Sequence, residues 1–139
     1  MKRQFIFLVL ITLVTFSAGC IRTTSNTLSP TVDVPNISQG KFAIQDMRKA
    51  IVAGCSERQW VASDIDNTTI EATIIVRGKH TVVVSIPYTE NSYSIEYKSS
   101  VNMDYKPNSD GTFSINRSYN NWVNNLYQAI NANITRMQK

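Results

Sequence analysis

The chain of 139 residues has little of the chemistry that metal centres need, because it contains two cysteines and one histidine. Zinc and iron–sulfur sites usually take several thiolate or imidazole ligands, so this supply nearly excludes them. Glycine is also scarce, with 5 residues, and none of them stands in a phosphate-binding loop. We therefore expect no metal and no cofactor.

Charge is limited too, since charged residues make up 17% of the chain and the formal net charge is +4. Lys2 and Arg3 supply two of these charges and lie in a segment that we expect to be removed, which leaves about +2. So small an excess argues against nucleic acid as a partner. The length and the 42% of apolar residues predict a single folded domain.

One long apolar run stands out, at residues 5–16, after the basic start and before Ser17-Ala18-Gly19-Cys20. This order is typical of a secretory signal peptide, and the run is shorter than the roughly 20 residues that span a bilayer. The small residues before Cys20 resemble the lipobox of bacterial lipoproteins, in which the cysteine sulfur receives a diacylglyceryl group. The chain departs from that pattern at Ser17, where leucine is usual.

The lipobox resemblance implies a signal peptide at residues 1–19 and a membrane anchor at Cys20. Acyl chains such as palmitate hold a protein stably at a membrane when more than one is attached. Ile21, where inner-membrane lipoproteins often have aspartate, favours the periplasmic face of the outer membrane. The alternative is an ordinary signal peptide and a soluble periplasmic protein, in which Cys20 and Cys55 would be free to form a disulfide.

Residues 20–40 are rich in Ser, Thr, Asn and Pro and show no sustained period, which predicts a flexible tether. The alternative is that Val32, Val34 and Ile37 form an edge strand. Residues 41–139 are then the periplasmic domain.

A helix is predicted first in this domain, because Ile44, Met47, Ile51 and Cys55 recur at helical spacing. Cys55 lies on this apolar stripe, so we expect a buried, unreactive thiol. Arg48 lies beside the stripe, either as a packed stem with its guanidinium in water or as a contact for an anion or carboxylate.

Four strands are predicted next. In the second and third strands apolar and polar residues alternate, although Ile75 interrupts the polar face, and Gly78-Lys79 is a hairpin signal between them. Such alternation predicts an antiparallel meander with one face on a core and one face in water. The predicted strands are Trp60–Ile65, Thr69–Arg77, His80–Tyr88 and Ser92–Lys98.

The end of the chain predicts a loop at residues 106–111 and a final helix that begins near Asn116, which is a good cap. We expect Trp122 and Leu126 to pack this helix against the sheet. The predicted fold class is α+β: a two-layer sandwich of helix, four-stranded antiparallel meander and C-terminal helix, with both helices on one face. The apolar face of the final helix comprises Tyr119, Trp122, Val123, Leu126, Ile130 and Ile134.

Several short motifs, spread over about residues 44 to 130, resemble a family of small proteobacterial lipoproteins of uncharacterised function. The chain departs from them at Gln59, where glycine is expected before the tryptophan. The resemblance implies a lipid anchor and a periplasmic location, and it implies no catalytic residues. The motifs are residues 47–51, Trp60, Arg77-Gly78-Lys79-His80, Ile86-Pro87-Tyr88, residues 93–100, Asn102-Met103-Asp104-Tyr105 and residues 119–126.

His80 is the one candidate for acid–base chemistry. A histidine general base needs a group that orients it and a nucleophile within reach. Ser85 is on the same predicted strand but on the opposite face, and no serine or cysteine stands in a catalytic motif. We therefore expect no enzyme, and a His80-dependent hydrolase is the least favoured hypothesis.

Tyrosines cluster around the last predicted hairpin, at Tyr88, Tyr93, Tyr97 and Tyr105. A short link at residues 89–91 brings Tyr88 close to Tyr93. Either the rings belong to a half-buried core, or they form a binding ledge for a peptide, glycan or lipid fragment. The candidate binding residues are Tyr88, Tyr93, Tyr97, His80, Arg77 and Arg48.

The sequence thus favours a lipid-anchored binding or adaptor module of the outer membrane. Its partners would be the membrane, through acyl chains on Cys20, and an envelope protein or a fragment of peptidoglycan or lipid. The alternative is a structural or assembly lipoprotein of an envelope complex, which rests on analogy of size and anchoring alone. The sequence leaves the oligomeric state open.

Overall fold

The computed structural model describes residues 24–26, 31–33 and 43–139, and the predicted signal peptide and the predicted anchor Cys20 lie outside these residues. Two helices and nine strands are described. In chain order they are β1 (Thr24–Asn26), β2 (Thr31–Asp33), α1 (Ile44–Glu57), β3 (Val61–Asp66), β4 (Thr69–Val76), β5 (His80–Pro87), β6 (Ser92–Ser94), β7 (Glu96–Val101), β8 (Lys106–Pro107), β9 (Phe113–Asn116) and α2 (Ser118–Met137).

The main sheet has the order β3-β4-β5-β7 with antiparallel neighbours. Its alternating residues divide as the sequence predicts, since β-branched and small apolar side chains of β4 and β5 are buried on one face. The α+β class, with helix, four-stranded meander and C-terminal helix, is confirmed. The buried inner face consists of Ile70, Ala72, Ile74, Val82, Val84 and Ile86.

Both helices pack on this inner face and share one hydrophobic core with it. Gly54 allows the helices to approach closely, because a Cβ built on it would lie 2.7 Å from Ile130 Cγ1 and 2.9 Å from Ile130 Cα. The prediction of Asn116 as the cap of α2 is wrong: the N-cap residue is Arg117, which makes no side-chain capping hydrogen bond, and Asn116 Oδ1 accepts a hydrogen bond from the Ser118 N–H at 3.0 Å from one position earlier. Leu126 is fully buried and Trp122 is partly buried against the same core, as predicted, and Tyr119 is the fully buried aromatic ring of α2.

The fourth predicted strand is divided into β6 and β7 at Ile95. β6 pairs with β2, whereas β7 pairs with β5 and carries a register shift opposite Val83 and Val84. Tyr93 before the break and Ile95 at the break are both buried, so the apolar alternation continues through it and gave no sign of a second pairing partner.

Two parts of the predicted tether are strands. Thr31–Asp33 pairs with β6, placing Val32 opposite Tyr93, and Thr24–Asn26 pairs with β9. The structure therefore differs at these residues from the flexible tether predicted for residues 20–40. Val32 lies in an edge strand, in agreement with the alternative, whereas Val34 and Ile37 lie outside the described residues. Three-residue polar strands carry too short a pattern to be recognised in sequence, because their hydrogen bonds depend on a distant partner edge.

The loop predicted at residues 106–111 is part of a hairpin, because Lys106 and Pro107 pair with β9. Asp110 Oδ1 closes the turn by accepting hydrogen bonds from the Thr112 N–H and hydroxyl. This hairpin carries Tyr105 and Phe113 towards β7.

Candidate functional site

Two of the candidate tyrosines belong to the core. Tyr88 and Tyr93 form an isolated antiparallel bridge, as the short link between them predicts, but their side chains are only 4% and 2% exposed. The Tyr93 hydroxyl donates to Asn131 Oδ1 at 2.8 Å, and burial raises the pKa of this tyrosine. The Tyr88 hydroxyl donates to the Asn67 carbonyl at 3.1 Å. The core therefore covers most of both rings, while Tyr88 and Tyr93 also line a surface groove of about 430 Å³ beside the link at residues 89–91, so a ledge at this place stays a prediction.

Tyr97 belongs to a different aromatic cluster, which we call the aromatic stack: Tyr97, Tyr105 and Phe113. Ring centroids are 4.1 Å apart for Tyr97 and Tyr105 and 5.2 Å apart for Tyr105 and Phe113, and both pairs are stacked. Tyr119 meets Tyr97 edge to face from the core. The stack thus closes the core beside β7, and Tyr105 and Phe113 are 38% and 42% exposed at its outer end.

Arg48 has a partner within the chain. Its Nε and Nη2 donate to Asp64 Oδ1 and Oδ2 at 2.8 Å and 2.5 Å, a bidentate pair between α1 and β3. The hydrogen bond and charge of Arg48 hold the pKa of the Asp64 carboxyl below its usual range. The carboxylate contact that the sequence allowed for Arg48 is therefore made to β3, beside a surface groove of about 280 Å³ that we call the Arg48 groove.

Arg77 and His80 line a second groove, of about 230 Å³, at the other end of β4. We call it the His80 groove. One wall is the β4–β5 hairpin, and the opposite wall is the start of α2, where Trp122 stands. Its lining residues are Val76, Arg77, His80, Met103, Asn116, Ser118 and Trp122.

Turn geometry places Arg77 at the mouth of this groove. Val76 pairs with His80, so the hairpin loop has three residues rather than the predicted two, and Arg77 leaves the strand. Arg77 and Gly78 have φ angles of 54° and 66°, in the left-handed region. Glycine adopts this conformation freely, whereas a side-chain-bearing residue is strained there.

His80 is held in one orientation by Asn102. The His80 Nδ1 lies 2.8 Å from the Asn102 carbonyl oxygen, and a carbonyl can only accept, so Nδ1 carries the proton of this bond. In the neutral imidazole Nε2 is then the acceptor, and in the charged form it is a second donor. The Asn102 side chain donates to the Lys79 carbonyl at 2.7 Å and so ties the hairpin to the end of β7.

A hydrolytic arrangement at His80 is not supported by these contacts. The group that orients Nδ1 is a backbone carbonyl, and Ser118 is the only hydroxyl side chain among the lining residues. Within the described part of the chain, no hydrogen bond joins Ser118 to His80. Ser85 lies on the outward face of the sheet opposite Glu71, as the sequence predicts.

Positive charges outnumber negative ones at the His80 groove, since Arg77 lines it and Arg117 is adjacent to it, while Asp104 follows the lining residue Met103. The lining contains a guanidinium and an imidazole but no carboxylate. Arg77 forms no ion pair with any residue that the structure describes, and it is exposed. Arg117 is exposed next to the lining residues Asn116 and Ser118, and the first turn of α2 has no acidic residue. The positive end of the helix dipole adds to this field.

The described residues were also searched for a reactive thiol, a metal-binding cluster and a membrane-spanning helix. Cys55 is a free thiol that is fully buried, and burial raises its pKa to about 12. Residues 24–26, 31–33 and 43–139 contain no cluster of three or more His, Cys, Asp or Glu side chains fit to hold a metal ion. Among the helices described, none has the length and apolar character to cross a membrane.

No protein-family model matches this chain. A search of curated proteins found no significant match. The function must therefore be inferred from the residues themselves.

Arg77 and His80 were identified as candidates from the sequence. Trp122, Asn116 and Met103 were not, and they reach the groove from α2, from β9 and from the segment after β7. The sequence marked Asn116 only as a possible helix cap, and this signal did not indicate that Asn116 would line a groove.

Proposed function

We propose that this protein is a lipid-anchored binding module of the bacterial envelope, which takes a ligand from the periplasm into the His80 groove. Acyl chains on Cys20 would hold it at the periplasmic face of the outer membrane. The N-terminal apolar run and lipobox-like residues support the anchor. The observation that carries the binding role is the convergence of Arg77, His80 and Trp122 on one groove.

This combination is suited to binding. Trp122 is partly buried and offers an apolar ring face, while Arg77 and the His80 Nε2 offer polar contacts. Aromatic rings and arginine are enriched at binding surfaces because they give large contact area with few rotatable bonds. Asn102 holds the imidazole in place before any ligand arrives, which lowers the entropic cost of binding.

The binding role is tested with soluble peptidoglycan fragments as the probe and the full-length lipidated protein in detergent micelles. The chain has two tryptophans, and Trp60 is 3% exposed in the core, so a Trp60→Phe background lets fluorescence report on Trp122. We expect the fragments to shift this emission and His80→Ala to weaken binding at least about tenfold. Arg48→Ala, outside the groove, is the matched control and should bind normally. An emission that no fragment changes would refute binding of these fragments in the groove.

The anchor is tested separately with Cys20→Ala. We expect the variant to accumulate as an unprocessed precursor without lipid label. Normal processing and release into the periplasm would instead support the soluble alternative.

One observation favours a second function, a structural or assembly role in an envelope complex. The outward face of the sheet carries exposed apolar residues at one end: Val61 is 70%, Ile75 is 63% and Val101 is 57% exposed. Ile75 and Val101 lie in one row across β4, β5 and β7, with Thr81 between them. Stoichiometric co-purification of an envelope protein, abolished by Ile75→Lys but not by His80→Ala, would establish this role.

A further inference from the structure

The His80 groove has the composition of a site for the end of a chain. Its volume of about 230 Å³ is below the range of roughly 300 to 1,000 Å³ that encloses drug-sized ligands. A polymer would not fit inside it, whereas a terminal residue would. The lining combines apolar and polar residues: Val76, Met103 and Trp122 offer apolar surface, and the other lining residues offer polar contacts.

Charge decides which end of a chain suits the groove. Arg77 lacks an ion-pair partner among the described residues, and no lining residue is acidic. An amino terminus would be repelled by the guanidinium, whereas a carboxylate accepts two parallel hydrogen bonds from it. The Nε2 of His80 becomes a second donor to such a carboxylate when the ring is protonated.

Backbone strain at Arg77 agrees with a role beyond folding. Its φ of 54° is one that glycine would adopt at lower cost, yet the position carries an arginine at the mouth of the groove. Residues held in this region cluster at binding sites, where surrounding contacts compensate for the strain. Here the bond from the Asn102 side chain to the Lys79 carbonyl holds the hairpin.

We propose that the His80 groove captures the carboxylate terminus of a peptide whose last residue is small and apolar, with Arg77 as the principal carboxylate contact. The small volume limits the last residue, and Val76, Met103 and Trp122 provide its apolar surroundings. This inference rests on the proposed binding function and names the chemical group that the groove recognises.

The test compares two probes on the full-length lipidated Trp60→Phe protein: acetyl-Ala-Ala-Ala with a free carboxylate, and the same tripeptide as its carboxamide. We expect the acid to shift Trp122 emission and the amide to bind at least about tenfold more weakly, because a charge-assisted bidentate contact is lost. Arg77→Ala should abolish this preference and Arg77→Lys should retain part of it, whereas Arg48→Ala should leave it unchanged.

The inference would be overturned by equal binding of acid and amide, by no binding of either tripeptide, or by an equal loss of affinity for the acid in Arg48→Ala and Arg77→Ala. Displacement of the acid by inorganic phosphate at equal concentration would also overturn it, since the site would then hold any anion. Peptidoglycan fragments in the same assay separate the two proposals. If the fragments bind and acid and amide do not differ, only the carboxylate inference fails; if the fragments do not bind either, the proposed function fails with it.

Discussion

The Arg48 groove and the His80 groove lie at opposite ends of β4, and each contains an arginine that the sequence marked as a candidate binding residue. Arg48 is neutralised by a bidentate pair with Asp64. Arg77 has no such partner among the described residues. An arginine that is already paired loses an existing contact when it binds a ligand, whereas an unpaired one loses only solvent. The comparison therefore favours the His80 groove as the place of the proposed ligand binding.

The largest effect is expected from Gly54→Ala, which would disturb both grooves, because α1 contributes to one and α2 to the other. The added Cβ would lie 2.8 Å from the Ile130 backbone nitrogen, so the two helices would have to move apart. We expect a loss of about 3 kcal/mol in the free energy of unfolding, measured by chemical denaturation. Helix propensity alone predicts a gain of about 1 kcal/mol, so a stabilised variant would show that the helices do not touch here. Ser56→Ala, exposed on the same helix, is the control.

Glycine substitution at the two arginines should change stability in opposite directions. Arg77→Gly relieves a left-handed φ of 54° and is expected to stabilise the fold by about 0.5 to 1 kcal/mol while ligand binding is lost. Arg48→Gly interrupts α1 and removes the pair with Asp64, so it should destabilise the fold. Thermal melting of both variants provides the comparison, and destabilisation by Arg77→Gly would refute the strain argument.

Gln59→Gly separates strain from binding. Gln59 has φ of 62° at the end of α1, and the Trp60 N–H donates to the Cys55 carbonyl across it at 2.9 Å. We expect a gain of about 0.5 kcal/mol with unchanged ligand affinity, since Gln59 lines neither groove. Arg58→Gly, at φ of −108°, is the control and should not stabilise the fold.

The smallest expected effect is a change in the pH dependence of stability, and it involves only the Arg48 end of the sheet. The pKa of Asp64 is lower in the folded chain than its usual value, because Arg48 donates hydrogen bonds to the carboxylate. Its contribution to stability is therefore present above the unfolded pKa and is lost as pH falls through the folded pKa. Asp64→Asn should flatten part of the acid limb of a plot of melting temperature against pH. Arg77→Ala should leave that limb unchanged, and an equal flattening would contradict the assignment of partners.

The regular elements were predictable because their own residues carry the pattern. Alternation in β4 and β5 and the helical stripes of α1 and α2 repeat long enough to identify the period and the buried face. The break at Ile95 and the hairpin of β8 and β9 were missed, because pairing partners that are distant in sequence determine them.

The candidate site was only partly predictable for the same reason. Arg77 and His80 were visible as titratable residues beside a turn, and Cys55 as a core thiol. The four candidate tyrosines could not be distinguished by their local sequence, yet Tyr93 is in the core and Tyr105 lies at the exposed end of the aromatic stack. Whether a half-apolar ring is covered depends on which element packs over it, and that is absent from its local sequence.

The sequence by itself determined the α+β class and the inner face of the sheet, because each depends on composition or on a short repeating period, and the export signal and anchor are predictions that also depend on the sequence alone. Tertiary structure alone decided which arginine has a carboxylate partner and that Trp122 borders the same groove as Arg77 and His80. It also decided that His80 receives its orientation from Asn102, which lies 22 residues away. Ion pairs and groove walls join elements that are distant along the chain, so they exist only once the helices have packed on the sheet.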